Sequence, residues 1–151
     1  MKLLIVTAAV LALMIAPSIS ADSAKPGVPA AVHYVSHNTV DATMAKGGAI
    51  VNDPGFVILA NRREAAAVEY HEHTNHVFIV VEGEATFVVG GTMVGAKQTA
   101  PGQIRATSIE GGETFHVTKG DVITIPAKVP HWWKEVSSKT IGYYAVNLES
   151  Q

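Results

Sequence analysis

The sequence predicts an all-β domain, a sandwich or closed barrel, with one short helix ahead of it. Three observations carry that expectation. From Phe56 onward the chain runs in short stretches rich in Val, Ile, Thr and aromatics. Gly pairs and Pro-bounded loops punctuate these stretches at close intervals, and almost none of them repeats apolar residues at helical spacing. Many short strands with little helix is the pattern of two packed sheets or a sheet closed on itself.

The elements follow in order. Lys2 precedes a charge-free apolar run over residues 3–16, and Pro17-Ser18-Ile19-Ser20-Ala21 supplies a helix breaker and small residues. This reads as a secretory leader cleaved near Ser20 or Ala21, because the run is shorter than the roughly 20 residues that span a bilayer. A secreted or periplasmic chain with no stable membrane anchor after cleavage is the expectation. Residues 33–46 predict a short helix, with Ser36 or Asn38 as cap and Gly47-Gly48 as the stop. Strands are expected at 56–62, 66–73, 76–82, 85–89, 105–109, 114–117, 122–125, 131–136 and 141–146. Gly83-Glu84, Gly90-Gly91, Gly111-Gly112 and Lys119-Gly120-Asp121 make turns between them. Residues 97–105 read as a polar surface loop, a lid over a barrel mouth being the alternative. The domain reading is a leader at 1–21, an extension at 22–55, one barrel at 56–147 and a tail at 148–151.

Composition narrows the function. With 151 residues, 48% hydrophobic and 16% charged, the chain is long enough for one core and too apolar for disorder. The net charge is −2 and no run of Lys or Arg exceeds Arg62-Arg63, so no nucleic-acid partner is expected. Cysteine is absent, which excludes disulfides, thiolate catalysis and thiolate metal sites. A metal in this chain needs nitrogen and oxygen ligands.

Three of the seven histidines, His71, His73 and His76, fall within six residues. On a strand, residues two apart share a face, so Glu69, His71 and His73 point one way. A carboxylate and two imidazoles on one face are costly to bury unless something binds them. Imidazoles with a carboxylate suit Fe, Mn, Zn, Ni or Cu. A zinc-protease helix is excluded, because residue 75 is Asn and the segment is not helical. Downstream, Gly120, the apolar run 122–125, the loop bounded by Pro126 and Pro130, and His131 place a further imidazole at the start of a strand. His33, His37 and His116 have no partner at ligand spacing. Arg105 is either a clamp for an anionic substrate or a residue on a strand's wet face, and at most one of Arg62 and Arg63 faces inward.

Together these two segments resemble the motifs of the cupin superfamily, over roughly residues 65–146. The first family motif runs His-x-His, three or four residues, Glu, six residues, Gly. Here six residues separate His76 from Gly83, so His76 stands in the Glu position. The second runs Gly, five residues, Pro-x-Gly, two residues, His. Gly120, Pro126 and His131 match, while Lys128 replaces the Gly and Glu135 the Asn four residues after the last His. The leading pair reads either as His71 and His73, with a short gap to His76, or as Glu69 and His71, with a normal gap. Both registers use His71 and His131. Glu69 and His73 compete for the remaining place.

The resemblance implies an antiparallel jelly-roll β-barrel with one divalent transition metal (Fe, Mn, Zn, Ni or Cu) inside, bound by His71, His76, His131 and either Glu69 or His73. It implies Trp133 and one of Tyr143 and Tyr144 facing inward, with Glu72 or Glu135 steadying the ligands, and two copies pairing as a homodimer. The functional expectation is a secreted metalloenzyme acting on a small oxygen-bearing substrate as a dioxygenase, isomerase or lyase. A non-catalytic metal or small-ligand binding protein is the alternative, and a metal-free epimerase-like cupin the third.

Overall fold

The computed structural model describes residues 27–150; the leader expected over residues 1–21 lies outside them. The helix α1 (His37–Lys46) starts where Ser36 caps it, the hydroxyl accepting from the Thr39 amide, and stops at Gly47. Its one buried residue is Met44, and the helix packs on the first two strands. Thirteen strands follow among the described residues: β1 (Gly48–Asp53), β2 (Phe56–Arg63), β3 (Val68–His71), β4 (Thr74–Glu82), β5 (Glu84–Val89), β6 (Thr92–Val94), β7 (Lys97–Ala100), β8 (Gln103–Ala106), β9 (Ser108–Glu110), β10 (Glu113–Thr118), β11 (Val122–Ile125), β12 (His131–Glu135) and β13 (Ile141–Glu149).

They form two antiparallel sheets, ordered β1-β2-β13-β4-β11 and β10-β5-β12-β3-β8-β7, and a two-stranded ribbon of β6 and β9. The fold is the antiparallel jelly roll, but the expected closed cylinder is not formed. The two sheets face one another, and β10 and β11 end them as unjoined edges. A mostly apolar groove of about 560 Å³ runs along those two strands.

Three local expectations are corrected. Residues 97–105 are not a loop: β7 and β8 form a hairpin at the edge of the larger sheet. The strand expected over 105–109 is two strands, β8 on β3 and β9 on β6, because the ladder breaks at Thr107. β1, within the expected extension, pairs with β2. Both missed hairpins turn on Pro-Gly, at Pro54-Gly55 and Pro101-Gly102. Proline presets the first turn position, and these glycines take φ 75° and 68°, which side chains rarely adopt.

Alternation fills the space between the sheets. β4 turns Thr74, His76, Phe78 and Val80 inward, and β12 turns in His131 and Trp133. Phe78, Phe87, Trp133 and Tyr143 make one aromatic cluster, with ring centroids 4.4 Å apart for Phe87–Trp133 and 4.8 Å for Trp133–Tyr143. Burying each such ring contributes roughly 1.5–3 kcal/mol. Phe78 also lies 5.3 Å from the His76 ring and 5.9 Å from that of His131. The aromatic cluster is therefore the apolar floor on which a polar site stands. Trp132, of opposite parity, is half-buried, and its indole donates to the Ala66 carbonyl at 2.6 Å.

Candidate metal centre

Strand register assembles the site. β3 lies between β12 and β8, so Glu69 faces His131 on one side and Arg105 on the other, while His71 faces Gln103. On the opposite sheet β4 pairs with β13, and His76 faces Asn147. Side chains directly opposite on antiparallel strands have Cβ atoms about 4.5–5.5 Å apart, within contact range. The sheets then bring the two sets together. One nitrogen of each of His71, His76 and His131 lies within 4.8 Å of those of the other two.

Each ring is oriented by an oxygen acceptor. His131 Nδ1 donates to the Val129 carbonyl at 3.1 Å, His76 Nδ1 to Asn147 Oδ1 at 2.8 Å, and His71 Nδ1 to Gln103 Oε1. An oxygen acceptor at Nδ1 fixes the proton there and leaves a lone pair on Nε2. The Nε2 atoms of His76 and His131 are buried with no hydrogen-bond partner. Unpartnered buried nitrogen acceptors are costly, and three lone pairs in one place fit a cation. Glu72 and Glu135 do not orient the rings. Two side-chain amides and one backbone carbonyl do so, because the strands opposite His71 and His76 present Gln103 and Asn147.

Glu69 adjoins the triad. Its Oε2 lies 3.7 Å from His71 Nε2 and 3.8 Å from His131 Nε2. Its other oxygen takes the Arg63 guanidinium at 3.1 Å and that of Arg105 as well. Burial pushes this carboxyl upward. The Arg63 and Arg105 guanidiniums outweigh it and hold the group well below the usual carboxylate range, so it is ionised. Burial lowers His131 to about 4, with the Val129 bond opposing, and it also lowers His76 against its bond to Asn147. Both rings are neutral at pH 7, the state a metal requires.

The structure does not bring His73 to this cluster. β3 ends at His71, so the alternation stops there, and the His73 side chain is 59% exposed with Glu72 3.8 Å away. His33 pairs with Asp53, and His116 is an exposed neighbour of Glu84. Of the adjacent arginines, Arg63 faces inward, where it also donates to the Tyr143 hydroxyl at 3.3 Å, and Arg62 pairs with Glu82. Tyr143 is the inward tyrosine, and burial raises its hydroxyl.

A cavity of about 260 Å³ opens beside the triad, walled by Leu59, Phe78 and Ala145 and by the Arg63, Arg105 and Glu69 side chains.

A family model described as Cupin matches residues 54–149. No curated protein sequence matches the chain. Among solved structures, the chain is similar to a cupin protein of Bacteroides fragilis, at 15% identity over 64% of this chain and 68% of that one, with a TM-score of 0.44. It is similar to a cupin 2 conserved barrel domain protein of Rhodopseudomonas palustris, at 16% identity over 70% and 60%, with a TM-score of 0.47. It is also similar to the Fe(II) form of HppE, at 18% identity over 67% of this chain and 49% of that one, with a TM-score of 0.50. At these identities the likeness is one of fold.

Proposed function

The chain belongs to the cupin family, and from that premise we propose that it is a metal-dependent enzyme acting on a small oxygen-bearing substrate. His71, His76 and His131 would hold one divalent transition metal (Fe, Mn, Zn, Ni or Cu), with Glu69 beside them. The observation that carries this reading is the buried pair of unpartnered Nε2 atoms on His76 and His131.

When bound, the metal would supply Lewis acidity to a substrate oxygen, the common requirement of dioxygenase, isomerase and lyase chemistry. The chain's own residues do the rest. Gln103, Asn147 and the Val129 carbonyl fix the three rings, so that binding costs little reordering. Glu69, ionised and anchored through one oxygen, sets the other beside His71 and His131, where its negative charge would favour the cation.

Elemental analysis of the chain, purified from its native compartment without chelators or an added His tag, tests this. The expected result is about one equivalent of transition metal, lost in His71→Ala. No metal, even after reconstitution with Fe, Mn, Zn, Ni and Cu in turn, would overturn it.

A second reading is a non-catalytic metal-binding protein. It is favoured by Glu69 Oε2, which stands close to two of the Nε2 atoms and would make a fourth protein donor, as in closed structural sites. Relaxation of solvent water by the Mn(II)-loaded chain separates the two. Strong relaxation means an open coordination position, and its absence favours the closed site.

The leader read over residues 1–21 adds the proposal that the mature chain works in the periplasm or outside the cell. Cell fractionation with the mass of the mature chain tests it, a start near Ser20 or Ala21 being the expected result.

A further inference from the structure

We propose that the cavity beside the triad takes a small organic anion, a carboxylate, with its charged end on Arg63 and Arg105. Only the position of the molecule's other end, toward the triad, rests on the metal-dependent reading above.

Two guanidiniums from opposite sheets, Arg63 on β2 and Arg105 on β8, converge on a single oxygen of Glu69. No other carboxylate lines the cavity among the described residues, so two guanidiniums share one carboxylate and one of their positive charges is uncompensated. An excess charge on a partly buried guanidinium pair is costly unless an anion joins it. The donors are also in surplus. Arg63 uses one terminal nitrogen for both Glu69 and Tyr143, and Arg105 uses one for Glu69. Each guanidinium has five N–H donors in a planar fork that matches a carboxylate edge. The Arg105 side chain is 43% exposed, so its free edge is reached from solvent. The cavity, about 260 Å³, lies just under the roughly 300–1,000 Å³ that drug-sized ligands fill, and so limits the anion to a small one.

The test is calorimetric titration of malonate and its neutral isostere malonamide into the full chain, both metal-loaded and stripped by chelator. Malonate is expected to bind both forms and malonamide neither. Arg105→Gln should weaken malonate roughly 10- to 100-fold in both, with Arg105→Lys between. Circular dichroism of each variant checks the fold, which substitution of this partly exposed side chain should leave unchanged. Equal binding of malonate and malonamide would overturn the proposal. So would malonate binding only to the metal-loaded chain with no effect of Arg105→Gln, or no binding to any form. Because the stripped chain is titrated too, failure to take up metal would sink the metal-dependent reading and leave the anion result standing.

Discussion

Glu69 and His131 sit directly opposite each other across the β3–β12 pair, and the Glu69 Oε2 lies 3.8 Å from the His131 Nε2. Glu69 thus adjoins the triad, as the register counting Glu69 and His71 as the leading pair, with four residues before His76, expects. Glu69 is tied to the triad by backbone pairing, whereas His73 lies beyond the end of β3.

Ligand substitutions should follow that register. His71→Ala and His131→Ala are expected to abolish metal retention, and Glu69→Gln to weaken it. His73→Gln and His116→Ala should leave it unchanged, both side chains being exposed and outside the triad. Metal content after dialysis of each variant reads this directly. Loss of metal in His73→Gln with retention in Glu69→Gln would reverse the assignment.

The residues behind the ligands should matter nearly as much. Gln103→Ala and Asn147→Ala remove the acceptors at His71 and His76, freeing each ring to rotate and change tautomer. Each should lower metal affinity roughly 10- to 100-fold. Competition with a chromophoric chelator measures it. Affinities equal to the unsubstituted chain would mean that the rings are held by packing alone.

What was legible in the sequence divides along local and non-local lines. His71, His76 and His131 were marked by spacing to Gly83, Gly120 and Pro126, which chain-local turns dictate. Gln103 and Asn147 carry no such mark, since each meets its histidine only through strand pairing, 32 and 71 residues away in sequence. The hairpin carrying Gln103 and Arg105 is missed because its strands are polar: an edge hairpin buries little, so alternation of apolar residues is absent from Lys97–Ala100. The usable signal there was Pro101-Gly102, and Pro54-Gly55 marked the missed β1 in the same way. The overlong reading of β3 came from extending a two-residue alternation past the bend at Glu72, where the amide bonds to the Gly102 carbonyl instead of continuing the ladder.

The departure at Lys128 has its own consequence. It occupies the glycine position of the second motif and adopts φ 67°, the left-handed conformation a glycine takes without strain. Its amide donates to the His71 carbonyl at 2.8 Å, so the loop shape is held by a bond to β3. A side chain in that conformation costs on the order of 1–2 kcal/mol, and glycine's greater freedom in the unfolded chain offsets part of the relief. Lys128→Gly should therefore stabilise the fold by up to about 1 kcal/mol and leave metal affinity unchanged. Urea midpoints measure it, and a destabilised variant would show that the Lys128 side chain contributes more than its backbone strain removes.

The buried imidazoles set a pH window. Burial lowers His131 from 6.5 to about 4, and lowers His76 in the same direction. As pH falls below 6.5 the unfolded chain takes up protons that these folded rings refuse. Stability is therefore full above pH 6.5 and declines as pH drops toward 4. For His131 alone the loss is about 3 kcal/mol. Glu69 adds an adjoining window: its lowered carboxyl contributes stability above pH 4.5 that is lost as pH falls further. Urea midpoints of the metal-free chain should thus hold nearly level from pH 7.5 to 6.5 and decrease through 6.0 to 4.5. A flat profile over that range would mean that His131 takes its proton in the folded state as readily as in the unfolded one, which its burial forbids.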